Sequence, residues 1–266
     1  MDTSHTPSLP KRALGATGLN LSIVGLGTVK LGRNQGVKYP RAFDIPDDRQ
    51  AANLLALAAD LGINLLDTAP AYGNSEERLG KLLAGQRERW LICTKVGEEF
   101  CGGQSSYDFS PRHTRLSVER SLKRLAFEYL DIVLVHSDGN DLDIINDIGT
   151  LETLASLKAE GKIRAYGMST KTVAGGLLAA EKSDCVMVTW NRDYNDDVPV
   201  IDYCHQHQKG VLIKKALASG HLASTPAGDS LQMIFKHPGV TSAIIGTINP
   251  DHLRANVAAA NPVTSF

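Results

Sequence analysis

The 266-residue chain is poor in cysteine and aromatic side chains, and neither sign of charge predominates. Its four cysteines, Cys93, Cys101, Cys185 and Cys204, form no C-x-x-C pair and lack metal-ligand spacing, so neither a zinc module nor a redox dithiol is indicated. A domain of this size needs no disulfide staples, and a reducing, cytoplasmic setting is expected. Lys and Arg total 28 against 29 Asp and Glu, a formal net charge of −1. With no basic block to neutralise phosphates, nucleic acid is not expected as a partner. Also missing is any apolar run near the roughly 18 residues that a membrane helix requires. The opening MDTSHTPSLP has neither a basic n-region nor an apolar h-region, so residues 1–8 are expected to be a tail rather than a secretory signal.

What is present is an architectural repeat. Short apolar, β-branched runs recur about every thirty residues, as in the βα units of a barrel. They are Ile23–Leu26, Asn64–Asp67, Leu91–Lys95, Asp131–His136, Ile163–Met168, Val186–Trp190, Val211–Lys215 and Ser242–Gly246. Most are apolar throughout, as strands covered on both faces must be. Helical stripes separate them. Ala51, Leu54, Leu55, Ala58 and Leu61 follow Asp47-Asp48 and stop at Gly62; Ser110-Pro111 opens a stripe with Val118, Leu122 and Leu125; Leu151, Leu154 and Ala155 close at Gly161; and Asn249-Pro250 opens a last helix. Arg12–Leu14 and Leu19–Leu21 flank a GATG turn and predict an N-terminal β-hairpin. No Pro- or Ser-rich linker divides the chain. The reading is one (β/α)8 TIM-barrel domain over residues 9–260. The rival open doubly wound sheet is disfavoured, because GLGTVKLG after the first strand does not fit G-x-G-x-x-G.

Parallel barrels carry their chemistry at the C-terminal strand ends. Those positions hold Asp67 and, just beyond it, Tyr72 in DTAPAYG, Lys95 in ICTKVG and His136 in DIVLVHSDG. Each alone is more often solvated or packed than functional, but the four types suit one reaction. Reducing a carbonyl needs a hydride at carbon and a proton at oxygen. A tyrosine can give the proton, though its ordinary pKa is about 10 and lowering it to about 7 takes about 4 kcal/mol. An ammonium about 4 Å away supplies energy of that order at an effective dielectric of about 20. Lys95 can be that ammonium, Asp67 can keep it charged, and His136 can orient the carbonyl or share in proton delivery. Nothing suggests a metal site.

These segments resemble the aldo-keto reductase superfamily along nearly the whole chain. The likeness runs from LGATGLNLSIVGLGTVKLG through LGINLLDTAPAYGNSEERLGKLL, LICTKVG, SVERSLKRLAFEYLDIVLVHSD and LKAEGKIRAYGMST to SAIIGTINPDHLRANV. The pairing of DTAPAYG with SEERLG is its most specific element. The resemblance implies a catalytic tetrad of Asp67, Tyr72, Lys95 and His136 and an NADPH cofactor, with NADH possible, extended across the barrel mouth. It places Gly27 and Thr28 under the nicotinamide and Ser169 and Thr170 at its carboxamide. Met187 stands where relatives carry a carboxamide-binding Gln.

The seventh strand departs from the family pattern. Where many relatives read aromatic-Ser-Pro-Leu, this chain reads Lys214-Lys215-Ala216-Leu217 and continues Ala218-Ser219-Gly220. The stacking aromatic is missing, Trp190 is a candidate substitute, and the two lysines are candidates for the pyrophosphate. Gly246, Thr247, Asn249, His252 and Asn256 are expected at the adenine-ribose end, where first-turn helix amides attract anions. Many relatives carry Lys and Arg where Gly246 and His252 stand, so NADPH preference is expected to be weakened. Only ten residues follow Asn256, so the long C-terminal substrate loop of many relatives is expected to be absent. Tyr39, Phe100, Tyr107 and Trp190 are the candidate substrate lining, and Asp138, Asp141, Asp143 and Asp147 the candidate acidic rim. The expected partner is a small carbonyl or alcohol; oligomeric state is not legible. Two alternatives stay open: a cofactor-binding regulatory protein with little turnover, and a Schiff-base aldolase using Lys95.

Overall fold

The computed structural model describes residues 9–218 and 227–261. The chain opens with an antiparallel hairpin, β1 (Lys11–Ala13) and β2 (Asn20–Ser22). The barrel strands follow: β3 (Val24–Gly27), β4 (Leu65–Asp67), β5 (Leu91–Val96), then, beyond a second hairpin, β8 (Leu130–His136), β9 (Ile163–Ser169), β10 (Cys185–Thr189), β11 (Gly210–Lys214) and β12 (Ser242–Ile245). Each pairs in parallel with its neighbour. Ala243, Ile244 and Ile245 of β12 lie beside Val24, Gly25 and Leu26 of β3, which closes the barrel. All eight expected strands are present, with ends displaced by one residue at most, and so is the N-terminal hairpin.

Helix starts follow from local chemistry. Asp47 caps α2 (Asp48–Asp60) in a reciprocal box with Gln50, and Ser110 caps α4 (Pro111–Leu125) through the His113 amide. Thr172 caps α7 (Val173–Lys182), and Asn249 caps α10 (Pro250–Ala260). The buried faces of these helices pack on the outer, apolar face of the sheet, the larger of the two cores.

The smaller core fills the barrel itself. Leu65, Cys93, Ile132, Leu134, Ala165, Cys185, Met187 and Leu212 point inward and meet Leu14, Leu19 and Leu21 of the first hairpin. Leu14 lies against Gly210 and Cys185, the first residues of β11 and β10, so the hairpin stoppers the N-terminal end. Residues 1–8, expected to be a tail, lie outside the described residues.

One feature of the fold was not legible. The stretch after β5 reads as a glycine-rich loop but forms a hairpin, β6 (Glu98–Cys101) with β7 (Gln104–Tyr107). Its signal was available: Gly102-Gly103, both at positive φ, joins two short runs as a two-residue hairpin turn does.

Leu14→Ala should destabilise the protein by about 2–5 kcal/mol, the usual cost of truncating a fully buried leucine. Urea unfolding monitored by circular dichroism measures it. A loss under about 1 kcal/mol would show that the stopper contributes little to stability.

Candidate active site

Asp67 ends β4 opposite Cys93 of the neighbouring β5, and Lys95, two residues farther along β5, lies on the same face at the open end of the barrel. Lys95 Nζ donates to Asp67 Oδ1 at 2.6 Å, to the Thr68 carbonyl at 2.9 Å and to Tyr72 Oη at 3.1 Å. All three ammonium hydrogens are thereby engaged, and the lysine is only 1% exposed. Burial alone would push its pKa down, but Asp67, with help from Tyr72, outweighs it and raises the value above that of an ordinary lysine.

Tyr72 rides a tight loop that the SEERLG segment ties down. Ser75 Oγ donates to Thr28 and also meets Thr68, while Glu76 accepts from Thr94 Oγ1 of β5 at 2.7 Å. Arg33 donates to the Ala71 carbonyl, adjacent to Tyr72, at 2.9 Å. Gly73 (φ 62°) and Gly32 let α1 (Val29–Gly32) press on this loop; a Cβ on Gly73 would lie 2.1 Å from the Gly32 carbonyl oxygen.

The expected lowering of the Tyr72 pKa to about 7 is not met. Desolvation raises it and the Asp67 charge adds to the rise, while Lys95 pulls the other way without prevailing. Tyr72 is therefore a protonated phenol at neutral pH. Its oxygen accepts from Lys95, which leaves its own hydrogen for a partner in the mouth.

His136, the last residue of β8, completes the group; its ring meets that of Tyr72 edge-on at 6.3 Å. The structure thus brings all four expected side chains together. It adds a fifth that sequence reasoning missed: Glu98 Oε2 lies 2.8 Å from His136 Nδ1. Nothing in the sequence pairs Glu98 with a histidine 38 positions away, because the contact depends on the unforeseen hairpin. Burial would raise the Glu98 pKa, but His136, Ser105 and Arg33 together bring it down to about 2.

A model of the Aldo/keto reductase family matches residues 23–229. The chain belongs to that family. A crystal structure of an aldo-keto reductase from Pseudomonas aeruginosa is similar with a TM-score of 0.88 and 57% identity, covering 96% of each chain. The holo form of aldo-keto reductase AKR11C1 from Bacillus halodurans is similar with a TM-score of 0.82 and 26% identity, over 97% of this chain and 93% of that one. Among curated relatives, the uncharacterized oxidoreductase YqkF of Bacillus subtilis (strain 168) is 28% identical over 294 residues, covering 94% of this chain and 91% of its own length. The protein is an oxidoreductase of the type that uses nicotinamide cofactors on small carbonyl compounds, and no helix among the described residues is long and apolar enough to cross a membrane.

The aldo-keto reductase mouth has features that suit such a cofactor. Thr170 Oγ1 is buried without a hydrogen-bond partner among the described residues, an unmet need that a carboxamide could satisfy. Gly27 and Gly246 lie against each other, and a Cβ on Gly246 would come within 2.9 Å of Tyr39 Oη, so only bare backbone leaves room there. Thr28 is occupied structurally, donating to the Asp67 carbonyl at 2.9 Å. Met187 pairs with Ser169 in the sheet and packs in the barrel core.

Other expectations change. Lys214 turns toward the carboxamide end, donating to Ser169 Oγ at 2.9 Å and to the Thr170 carbonyl at 2.6 Å. Of the lysine pair, only Lys215 is exposed for a phosphate; Leu217 packs partly buried against the outer core. Ser219 and Gly220 lie outside the described residues. Trp190 is no stacking substitute, since it packs edge-on against His237 at 5.5 Å and donates to Asn195. The first-turn amides of α10 are already taken, because Asn249 Oδ1 accepts from both Asp251 and His252 and Pro250 has no N–H. Thr247 accepts from the Asn249 amide, His252 is exposed and Asn256 is buried. Asp141 is not a solvated rim residue: it is buried and accepts from the Lys171 and Thr172 amides and the Thr172 hydroxyl.

Burial depresses the Lys214 pKa to about 7, with Lys215 as a further like charge. The unfolded chain then binds more protons than the native one above that value, so this residue makes stability rise with pH between about 7 and the ordinary lysine range near 10.4. Lys214→Met should flatten that rise in denaturant titrations at pH 7, 8 and 9. An unchanged slope would mean that Lys214 stays charged throughout.

Proposed function

We propose that the protein reduces aldehydes or ketones with NADPH, Tyr72 giving the proton. The observation that carries this reading is the joint engagement of Lys95 by Asp67 and Tyr72 at the open end of the barrel. The reduced nicotinamide would supply the hydride when bound, and Gly27, Ser169, Thr170 and Gly246 are the residues to hold that end of it.

Tyr72 Oη hands its hydrogen to the alkoxide that develops on the substrate oxygen. The Lys95 ammonium, 3.1 Å away, then faces a phenolate and stabilises it, so the charge grows beside a cation already in place. Asp67 keeps the lysine protonated through both states. His136 orients the substrate oxygen from the end of β8, the strand beside the one that carries Lys95. Tyr39 and Phe100 remain candidates for the substrate lining; Tyr39 lies under Lys30, and Phe100 under Arg33. Tyr107, more exposed, stacks on Phe109.

The aldolase alternative loses support. An amine nucleophile needs a free lone pair, whereas Lys95 is held protonated with all three hydrogens donated. The turnover-poor regulatory alternative is opposed by the assembled contacts of Lys95 with Asp67 and Tyr72.

Tyr72→Phe should lose about 10²–10⁴-fold in kcat/KM for an aldehyde, the worth of a general acid, while cofactor affinity holds. Steady-state assays of NADPH oxidation test it, and full activity in the Phe variant would sink the mechanism. NADPH should bind more tightly than NADH by about tenfold to a hundredfold, since one charge-assisted hydrogen bond is worth about 1.5–3 kcal/mol. Lys215, Thr247 and His252 are the groups available to a 2′-phosphate, with Asn249 and Asn256 beside them. Fluorescence titration that gives equal constants for the two cofactors would show that no 2′-phosphate site exists.

A further inference from the structure

His136 has two ring nitrogens, and the structure treats them differently. Nδ1 is buried, and among the described residues it has no aligned hydrogen-bond partner. Its near neighbour is Glu98 Oε2 at 2.8 Å, off the line of a full hydrogen bond but within ion-pair distance. Two lone pairs at that separation repel, and Glu98 is a carboxylate throughout the neutral range. Nδ1 must therefore carry hydrogen in both the neutral and the cationic ring.

Glu98 is itself held for this contact. Ser105 Oγ, across the hairpin, donates to its other oxygen at 2.6 Å, and Arg33 Nη1 stands 3.7 Å from the same atom. Arg33 also grips the Ala71 carbonyl and lies over the Phe100 ring at 3.4 Å. One guanidinium thus links the Tyr72 loop to the carboxylate that faces His136.

We infer that Glu98 is a positioning residue for the carbonyl reduction, fixing the proton of neutral His136 on Nδ1 so that Nε2 donates to a substrate oxygen only when the ring is cationic. The inference rests on the reductase reading above. Its consequence is directional. The cationic ring presents an Nε2–H to a carbonyl, whereas the neutral ring presents a lone pair, which suits the hydroxyl of an alcohol instead.

Every charged or titratable neighbour bears on that balance. Burial disfavours the cation, Glu98 favours it, Lys95 from β5 and Lys214 from β11 oppose it, and Tyr72 faces it edge-on. The net direction is below the ordinary histidine value. Carbonyl reduction by the parent protein should therefore fall as pH rises through the His136 transition.

Two measurements on the parent, Glu98→Gln and Ser105→Ala test the inference, after thermal melts show that each is folded. Nitrogen-15 spectra of histidine-labelled, cofactor-free protein report the tautomer without turnover. The parent is expected to show neutral His136 protonated on Nδ1, and Glu98→Gln to lose that preference. The pH profile of kcat/KM for an aldehyde should shift to lower pH or flatten in Glu98→Gln, and shift less in Ser105→Ala. Between the two His136 transitions Glu98→Gln should lose about tenfold to a hundredfold, the worth of one charge-assisted hydrogen bond, and the two profiles should converge at the acid end, where both rings are cationic. A parent His136 protonated on Nε2, or a Glu98→Gln profile superposable on the parent's, overturns the inference. If no aldehyde is turned over by any of the three, the reductase reading falls, and the spectra still decide whether Glu98 sets the tautomer.

Discussion

The ion pair between Asp67 and Lys95 is the interaction on which the mouth depends. Two opposite charges at 2.6 Å, both nearly removed from water, are stable only while each has the other. Removing the charge of either one would leave its partner alone in a low dielectric. The pair is therefore a fixed dipole built into adjacent strands. It costs desolvation energy to assemble and almost no reorganisation to use. Tyr72 is placed on the cationic end of that dipole, with its oxygen as acceptor and its hydrogen free. The SEERLG segment, the Arg33 clamp and the glycine contact between Gly32 and Gly73 all serve to keep a loop residue at strand-end accuracy.

That explains which parts of the molecule were legible in the sequence. The barrel was readable because strands buried on both faces are apolar throughout, and the tetrad because polar residues that end such runs stand out. Residues whose meaning depends on a neighbour from another element were not readable. Glu98 looks like a loop acid until the β6–β7 hairpin folds it against His136. Trp190 aligns with the mouth in sequence, yet its ring finds His237 on the outer side of the barrel. Asp141 sits in a run of acids but is the acceptor that organises the loop after β9. The acidity of Tyr72 was misjudged for a related reason. Distance to Lys95 was foreseen, but the desolvation that accompanies it was not, and burial is the larger effect in the protein without bound cofactor.

The departures from the usual seventh strand now have a physical description. Lys214 does not hang into solvent; its chain reaches past β10 to the end of β9 and bonds to Ser169 and Thr170. A position that relatives fill with an aromatic plane is here filled by a titratable amine beside the expected carboxamide site. At the other end of the cleft, α10 satisfies its own first turn through Asn249. The anion-binding capacity expected of a helix start is largely absorbed internally, so the proposed selectivity for NADPH rests on side chains such as Lys215 and Thr247.

The hairpin stopper has a consequence for proton traffic. Leu14, Leu19 and Leu21 seal one end of the barrel with hydrocarbon, and the layer above them is aliphatic apart from two thiols, Cys93 and Cys185, whose pKa values are pushed upward by burial. Among the described residues of that layer there is no chain of polar groups. In the proposed reaction, a proton that leaves Tyr72 is not replaced from below, by way of the barrel axis. Its replacement must enter through the same opening that admits substrate and releases product. Closure of that opening would halt reprotonation as well as exchange, so the protein has one doorway for matter and for charge.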